Sequence, residues 1–172
     1  MARPVPERIR LAVDALDLRP DARVLEVGCG TGVAADLISR RVPDGHVTAL
    51  DRSGTALAHA ERRLRRALDA GVADLAERDL RAFTGDGRPY DVVLAVNVSL
   101  FWTGEDAARA AARVRDLLAD DGVVHLWCEA PPGADPGPAG RRARAALAGA
   151  GLVATVREVE GRAHVVGEQP GR

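Results

Sequence analysis

Apolar positions along the chain alternate between short continuous runs and stripes with helical spacing. Residues 24–27 form a short run rich in β-branched side chains, and residues 91–96 form a longer run that is typical of a strand buried on both faces. Between such runs, apolar residues recur at helical spacing, as in Ala34, Leu37, Ile38 and Val42. Strands that alternate with helices predict a parallel sheet covered on both faces.

Taken along the whole chain, the patterns predict seven strands, at residues 24–27, 46–50, 72–77, 91–96, 123–128, 152–159 and 163–168. Helices are predicted before residue 19, after the glycines at 28–32, after a Ser53 cap, after the capping-box sequence 103–106, and at 143–150. The predicted fold is α/β: a doubly wound, mostly parallel seven-stranded sheet with one antiparallel strand in a C-terminal hairpin. No repeat or shift in composition divides the chain, so we expect a single domain at 1–172, with an N-terminal helix region at 1–22.

Charge and composition exclude several classes of function. The 172 residues carry 24 basic and 25 acidic side chains, so a net charge of −1 provides no general attraction to nucleic acid or anionic lipid. Every basic residue is arginine, which excludes a lysine Schiff base or a phosphate-binding lysine. No signal-peptide core or membrane-length apolar segment is present in the sequence, and we expect a cytoplasmic protein with no membrane partner.

The cysteines and histidines predict neither disulfides nor a metal site. Cys29 and Cys128 are far apart and form no CxxC motif, which favours a reducing compartment. The four histidines include no HxxxH or HExxH pair. We therefore expect no bound metal.

A glycine-rich turn follows the first predicted strand, where ligands bind in doubly wound sheets. Gly28, Gly30 and Gly32 permit a tight turn, and the helix beyond them offers free N–H groups. Val33 stands where a dinucleotide fingerprint requires glycine or alanine. Asp51 ends the second predicted strand, where an acid can accept hydrogen bonds from ribose hydroxyls. A nucleoside ligand is expected.

The segment Val24–Gly32 (VLEVGCGTG) closely resembles the first motif of the S-adenosylmethionine-dependent methyltransferases with the Rossmann-like, seven-stranded fold. The resemblance extends from about residue 23 to residue 168, in family order and spacing. The further segments that carry it are Ala49–Ser53 (ALDRS), Arg78–Leu80 (RDL), Tyr90–Val93 (YDVV) and Asp121–Val124 (DGVV).

The resemblance implies S-adenosylmethionine as cofactor and S-adenosylhomocysteine as product. It implies that Asp51 binds the ribose hydroxyls, that Glu26 holds the amino group of the methionine part, and that Asp79 meets the adenine amino group. Arg52 replaces a residue that is often aliphatic in the family, and would lie on the adenine ring. The full set of implied cofactor residues is Glu26, Gly28, Cys29, Gly30, Asp51, Arg52, Asp79, Leu80 and Asn97.

The methyl acceptor is expected to be a small molecule bound above the fourth and fifth strands. Family members that methylate nucleobase amino groups carry a proline pair after the fourth strand, whereas Asn97 is followed here by Val98-Ser99-Leu100. We therefore expect no DNA partner, and RNA is disfavoured. Candidate acceptor-site residues are Asn97, Ser99, Phe101, Trp102 and Glu129, with residues 131–140 as a lid. Glu129 is the candidate base, although an ordinary carboxylate at a strand end fits its position as well.

Other interpretations stay open beside this one. A catalytically silent domain that binds the cofactor and serves as a regulatory or partner subunit is the main alternative. A nicotinamide-dependent oxidoreductase is disfavoured by Val33 and by the motifs that contain Asp79 and Asp91. The patterns do not specify an oligomeric state. We expect His125 and Trp127 to lie in the core rather than to bind a ligand. We expect a group of arginines to lie on solvated helix faces rather than to bind RNA: Arg62, Arg63, Arg65, Arg66, Arg141, Arg142 and Arg144.

Overall fold

The computed structural model describes residues 4–131 and 133–171. Within them, seven strands form one sheet in the order β3-β2-β1-β4-β5-β7-β6. The strands are β1 (Arg23–Val27), β2 (His46–Asp51), β3 (Ala73–Glu77), β4 (Tyr90–Val96), β5 (Leu118–Glu129), β6 (Val153–Val159) and β7 (Arg162–Glu168). Residues 1–3 of the expected N-terminal region and Pro132 of the expected lid lie outside the described residues.

The direction of the strands confirms the predicted topology. The pairs from β3 through β5 are all parallel, whereas β7 runs antiparallel to both β5 and β6. Six strands therefore share one direction, and β7 is the antiparallel strand of the C-terminal hairpin. The run predicted to be buried on both faces is β4, which lies between β1 and β5.

Helices cover both faces of the sheet, as the pattern predicts. They are α1 (Glu7–Asp14), α2 (Val33–Ser39), α3 (Gly54–Asp69), α4 (Asp106–Leu117) and α5 (Gly137–Gly149). One buried cluster joins the sheet to α1, α2 and α3, and the other joins it to α4 and α5. Ser53 caps α3 as predicted, since its Oγ accepts a hydrogen bond from Ala56 N at 3.2 Å.

The predicted lid is shorter in the structure. Helix α5 begins at Gly137 rather than at residue 143, which leaves only residues 130–136 between it and β5. Pro138 lies in its first turn, where the missing N–H of proline costs no helical hydrogen bond. The proline- and glycine-rich composition therefore predicted a loop where the chain begins a helix.

The predicted capping box of α4 is wrong. Helix α4 begins at Asp106 without a side-chain cap, and the Thr103 hydroxyl instead donates to Ser99 O at 2.8 Å. At the other end of this helix, β5 starts at Leu118, before residue 123, where the sequence predicts the strand to begin. Leu118 pairs with Tyr90, and the next pair joins Val92 to Val123 across an irregular register.

Candidate functional site

A cavity of about 450 Å³ opens at the carboxyl ends of the central strands. Strand β1 lies between β2 and β4, so the direction in which the chain adds strands reverses beside β1. Doubly wound sheets bind ligands at this position. Of the residues predicted for the cofactor and acceptor, those that line the cavity are Gly28, Asp51, Arg52, Asp79, Leu80, Asn97 and Ser99.

The glycine turn is held against the end of β2 by its backbone. The amides of Gly28 and Cys29 both donate to Leu50 O, at 2.8 and 3.0 Å. Gly30 has a φ of 54°, and a Cβ built there would meet nothing within 4 Å, so the turn leaves open space on this side. Gly32 serves packing instead, because a Cβ there would lie 2.9 Å from the Cβ of Ala60 in α3.

Asp51 connects the end of β2 to the glycine turn. Its Oδ2 accepts a hydrogen bond from Gly30 N at 2.8 Å, and its Oδ1 accepts one from Ser53 N at 2.9 Å. A carboxylate oxygen accepts more than one hydrogen bond, so Asp51 keeps acceptor capacity toward the cavity that it lines. The backbone thus fixes the orientation of this carboxylate.

Glu26 is a buried acid beneath the same turn. Its residue is 3% exposed, and its Oε2 has no hydrogen-bond partner within the described residues. Burial raises the pKa of Glu26 to about 8, which the nearby charge of Asp51 reinforces and the Ala35 amide opposes. Burial likewise raises the pKa of the neighbouring Cys29 thiol well above its ordinary value. A buried polar atom without a partner is a candidate contact for a ligand.

Asp79 belongs to a network of ion pairs at the rim of the cavity. The Arg81 side chain binds it with two hydrogen bonds, Nε to Oδ1 at 2.8 Å and Nη2 to Oδ2 at 2.9 Å, and the Arg81 backbone N–H also donates to Oδ1 at 2.9 Å. Arg81 also reaches Asp106 at the start of α4 at 2.6 Å, and Arg52 lies 3.6 Å from Asp79. The hydrogen bonds from Arg81 lower the pKa of Asp79 to about 2. The carboxylate is therefore ionised and held in place.

Asn97 occupies the point where β4 leaves the sheet. It is not glycine, yet its φ is 57°, in the left-handed region. The backbone N–H of Asn97 donates to Trp127 O at 2.7 Å, and its side-chain Oδ1 accepts a hydrogen bond from Glu129 N at 3.4 Å. These contacts join β4 to the end of β5 and turn Asn97 toward the rim of the cavity.

A second depression, of about 740 Å³, adjoins the first at Asn97. Glu129 and Arg162 lie in it, and their side chains pair at 3.2 Å between Oε1 and Nε. Helix α1 reaches the same place, since Glu7 contacts Arg162 at 3.2 Å and Arg8 lies 4.0 Å from Glu129. The candidate base therefore sits in a network of ion pairs at the edge of an open depression.

The other two predicted acceptor residues lie elsewhere. Phe101 is 0% exposed and belongs to the core beneath α4 and α5. Trp102 is half-buried and lines a separate depression beside Arg142 and Ala146 of α5. Trp102 directly follows the 3₁₀ turn at Ser99–Phe101, and neither aromatic residue lines the cavity at the carboxyl ends of the central strands. The structure thus brings Asn97 and Ser99 to the first cavity, and Asn97 and Glu129 to the second, without Phe101 or Trp102.

His125 and Trp127 lie in the core, as the sequence predicts. Trp127 stacks on His164 with ring centroids 4.2 Å apart, and the His125 Nδ1 lies 3.0 Å from the His164 Nε2. Arg157 donates its Nε–H to the His164 Nδ1 at 3.3 Å, so the His164 Nε2 carries the proton that bonds His125. Burial lowers the pKa of both histidines. Both rings are therefore neutral parts of the sheet.

Sequence reasoning missed several residues at these sites. Arg78, Arg81 and Asp106 line the first cavity, and Arg162 lies in the second depression. Arg81 follows the Asp79 motif closely enough to suggest a contact, but nothing in the sequence relates Arg162 to Glu7 or Glu129. Among residues 4–131 and 133–171, no cluster of three or more His, Cys, Asp or Glu is placed to hold a metal ion. In the same residues, none of the helices has both the length and the apolarity needed to cross a bilayer.

Comparison with known protein families finds a family model that matches more than half of the chain. A family model described as a methyltransferase domain matches residues 25–124. This range runs from β1 into β5, and includes the glycine turn, Asp51, Asp79 and Asn97.

Individual relatives carry methyltransferase names. A trans-aconitate 2-methyltransferase of Streptomyces avermitilis is 36% identical over 106 residues, which cover 62% of this chain and 38% of the relative. A nocamycin O-methyltransferase of Saccharothrix syringae is 34% identical over 142 residues, which cover 76% of this chain and 45% of the relative. The chain thus spans less than half of the length of each of these relatives.

Solved structures share the fold at lower sequence identity. A precorrin-6y C5,15-methyltransferase of Geobacter metallireducens superposes with a TM-score of 0.71 at 18% identity, covering 94% of this chain and 87% of that one. At this identity the likeness establishes the fold alone.

Proposed function

The chain belongs to the family of methyltransferase domains, and from this premise we propose that it transfers a methyl group from S-adenosylmethionine to a small-molecule acceptor. The observation that carries the proposal is the cavity to which the ends of β1, β2 and β4 bring Gly28, Asp51 and Asn97, with Asp79 beyond β3. S-adenosylmethionine supplies an electrophilic methyl group bound to a sulfonium. The protein must hold this group in line with the acceptor.

The residues of the cavity suit an adenosyl ligand. Asp51 presents a fixed carboxylate to the ribose hydroxyls, and Asp79, with the backbone of Leu80, offers acceptor and donor groups to adenine. The open space at Gly30 leaves room for the chain of the methionine part. Arg52 is exposed at the rim, from where its guanidinium can cover the adenine ring.

The unpartnered Oε2 of Glu26 supports the assignment of the methionine end. An ammonium group is the kind of ligand that a buried, unpaired carboxyl group favours. We place Cys29 in the wall of the turn rather than among the polar contacts, because its thiol is buried and has a raised pKa. Asn97, whose backbone turns at the rim, contributes its carbonyl beside the same end of the ligand.

For the acceptor, we propose the second depression together with Ser99 at the rim of the first. Asn97 lines both spaces, so a molecule in the second depression can reach the first beside this residue. Glu129 remains the candidate base, and it must exchange its contact with Arg162 for the acceptor proton. The trans-aconitate and nocamycin names of the two relatives support a small-molecule acceptor.

Ligand binding tests the cofactor assignment directly. S-adenosylhomocysteine at a hundredfold its dissociation constant should stabilise the fold by about 2.7 kcal/mol, which raises the melting temperature by roughly 5–10 °C. NAD at equal concentration should leave the melting temperature unchanged. A melting temperature that rises with NAD, but not with S-adenosylhomocysteine or S-adenosylmethionine, would contradict the proposal.

A catalytically silent, cofactor-binding domain remains the second candidate. The position of Phe101 and Trp102 in and beside the core favours it, because neither residue lines the cavity proposed for the cofactor or the depression proposed for the acceptor. Transfer of a labelled methyl group separates the two functions. An active enzyme modifies an acceptor from a panel of small carboxylic acids and phenols, whereas a silent domain binds the cofactor and leaves every acceptor unmodified.

A further inference from the structure

Glu26 occupies a site that offers no compensating positive charge. It is 3% exposed, and its Oε2 accepts no hydrogen bond within the described residues. Its neighbours in the sheet register are Ala49 on β2 and Leu94 on β4, which are both apolar and buried. An ionised carboxylate in such a place is costly unless a ligand provides the missing charge.

The titratable groups around Glu26 are acids or neutral bases. Asp51 at the end of β2 and Cys29 in the turn interact with it electrostatically, and α2 presents Ala35 with its backbone amide. Leu94 on β4 pairs in register with His125 on β5, and His125 is a buried base with a lowered pKa. Within the part of the chain that the structure describes, no arginine forms a hydrogen bond or an ion pair with Glu26.

We propose that Glu26 carries a proton in the empty site and releases it when the ammonium group of the cofactor binds, so that cofactor binding expels one proton. This inference rests on the proposed function, since it assigns the Glu26 end of the site to the aminoacyl part of the ligand. It makes Glu26 the residue that distinguishes ligands with a free ammonium group from other adenosyl compounds.

The proton balance of the step is simple. The O–H bond of the Glu26 carboxyl group breaks, its proton passes to solvent, and the carboxylate left behind is paired with the ammonium group. Because burial raises the pKa of Glu26 to about 8, the carboxyl group is about nine-tenths protonated at pH 7. Binding of a ligand that requires the carboxylate must then strengthen about tenfold for each unit of pH between 6 and 7.

Isothermal titration calorimetry measures the released proton. Titrations with S-adenosylhomocysteine at pH 7, in two buffers that differ in ionisation enthalpy, should show about 0.9 proton released per ligand bound. 5′-Methylthioadenosine is the matched ligand, because it keeps the adenosyl group and lacks the ammonium. Its binding should release almost no proton and should not depend on pH in this range.

Two variants assign the proton to Glu26. Glu26→Gln keeps the size of the side chain and cannot ionise, so it should bind S-adenosylhomocysteine without proton release and with affinity that is constant between pH 6 and 7. Binding of 5′-methylthioadenosine to this variant verifies that its site is folded. Glu61→Gln, on the exposed face of α3, is the control and should release the same proton as the wild type.

The possible results are distinct. Proton-free binding of S-adenosylhomocysteine to the wild type overturns the inference and leaves the proposed function intact, and this result requires no variant. Undiminished proton release from Glu26→Gln also overturns it, because another group must then titrate. If neither adenosyl ligand binds the wild type, the proposed function and the inference fail together.

Discussion

At the scale of single residues, the site depends on two acids that differ in their surroundings. Asp51 is oriented by the amides of Gly30 and Ser53, whereas Glu26 is buried with one oxygen unpartnered. The first acid presents a carboxylate that the backbone orients, whereas burial raises the pKa of the second and favours its neutral form. Position along the strands makes the difference, since Asp51 ends β2 and Glu26 precedes the end of β1.

Replacement of Asp51 should weaken cofactor binding. Asp51→Ala removes a charged acceptor for the ribose hydroxyls and should cost about 1.5–3 kcal/mol of binding free energy, more than Asp51→Glu. The fold should survive, because the residue lies at a strand end at the rim of the cavity. Calorimetry with S-adenosylhomocysteine measures the effect. Equal affinity in the wild type and the alanine variant would show that other groups hold the ribose.

Replacement of Glu26 should change how the stability of the empty protein depends on pH. The pKa is 4.5 in the unfolded chain and about 8 in the fold, so the folded state binds more protons between these values. The free energy of unfolding should therefore fall by about 1.4 kcal/mol per pH unit as the pH rises through this window, through this one group. Glu26→Gln should lack this decline. Urea unfolding between pH 5 and 9 measures it, and parallel curves for the two proteins would contradict the assignment.

At the scale of elements, α5 shows how one contact fixes a helix on the sheet. Gly140 faces β7, and a Cβ built there would lie 2.5 Å from the Cβ of Ala163 and 3.1 Å from the Cγ2 of Val156. The helix approaches the hairpin this closely because glycine stands at that position.

Alanine substitutions within α5 should have opposite effects. Gly140→Ala overpacks the contact with β7 and should destabilise the fold by about 1–3 kcal/mol. Gly149→Ala is the matched control, since a Cβ there meets nothing within 4 Å, and should stabilise by up to about 1 kcal/mol through helix propensity. Thermal or urea unfolding of both variants makes the comparison. Equal stabilisation by both changes would mean that α5 can move away from β7.

At the scale of the whole molecule, the stability of the empty protein should be greatest near pH 6.5. His125 and His164 are neutral when folded because burial lowers their pKa values, so the free energy of unfolding should fall as the pH drops below their ordinary 6.5. Glu26 produces the opposite trend as the pH rises toward 8. Unfolding measured from pH 4 to 9 locates the maximum.

The histidine pair provides the control for the acidic side of this profile. Replacing His164 with glutamine should flatten the loss of stability between pH 6.5 and 4, while leaving the decline above pH 6.5 in place. Some overall destabilisation is expected because His164 also stacks on Trp127. A profile with unchanged slope on the acidic side would assign the acid sensitivity to other groups.

The sequence by itself determined where the seven strands lie along the chain, the mostly parallel sheet with one antiparallel strand in its C-terminal hairpin, and the place of the glycine turn. These features depend on local patterns, such as the apolar run of β4 and the Ser53 cap of α3, whose physical causes act over a few residues. The patterns failed where a short-range signal had more than one solution. The proline and glycine residues before position 140 suited both a loop and the first turn of α5, and the structure has the helix, with Gly140 packed against Ala163.

Only the tertiary structure decided which side chains share a cavity. Phe101 and Trp102 follow β4 in sequence as closely as Ser99 does, but the turn after β4 sends them to the core and to α5. Arg162 meets Glu7 across nearly the whole chain, a contact that no local pattern encodes. The pKa of Glu26 likewise depends on what surrounds it in space. Burial and the pairing of distant charges arise from the packing of the whole chain, whereas strands and turns are specified by the residues within them.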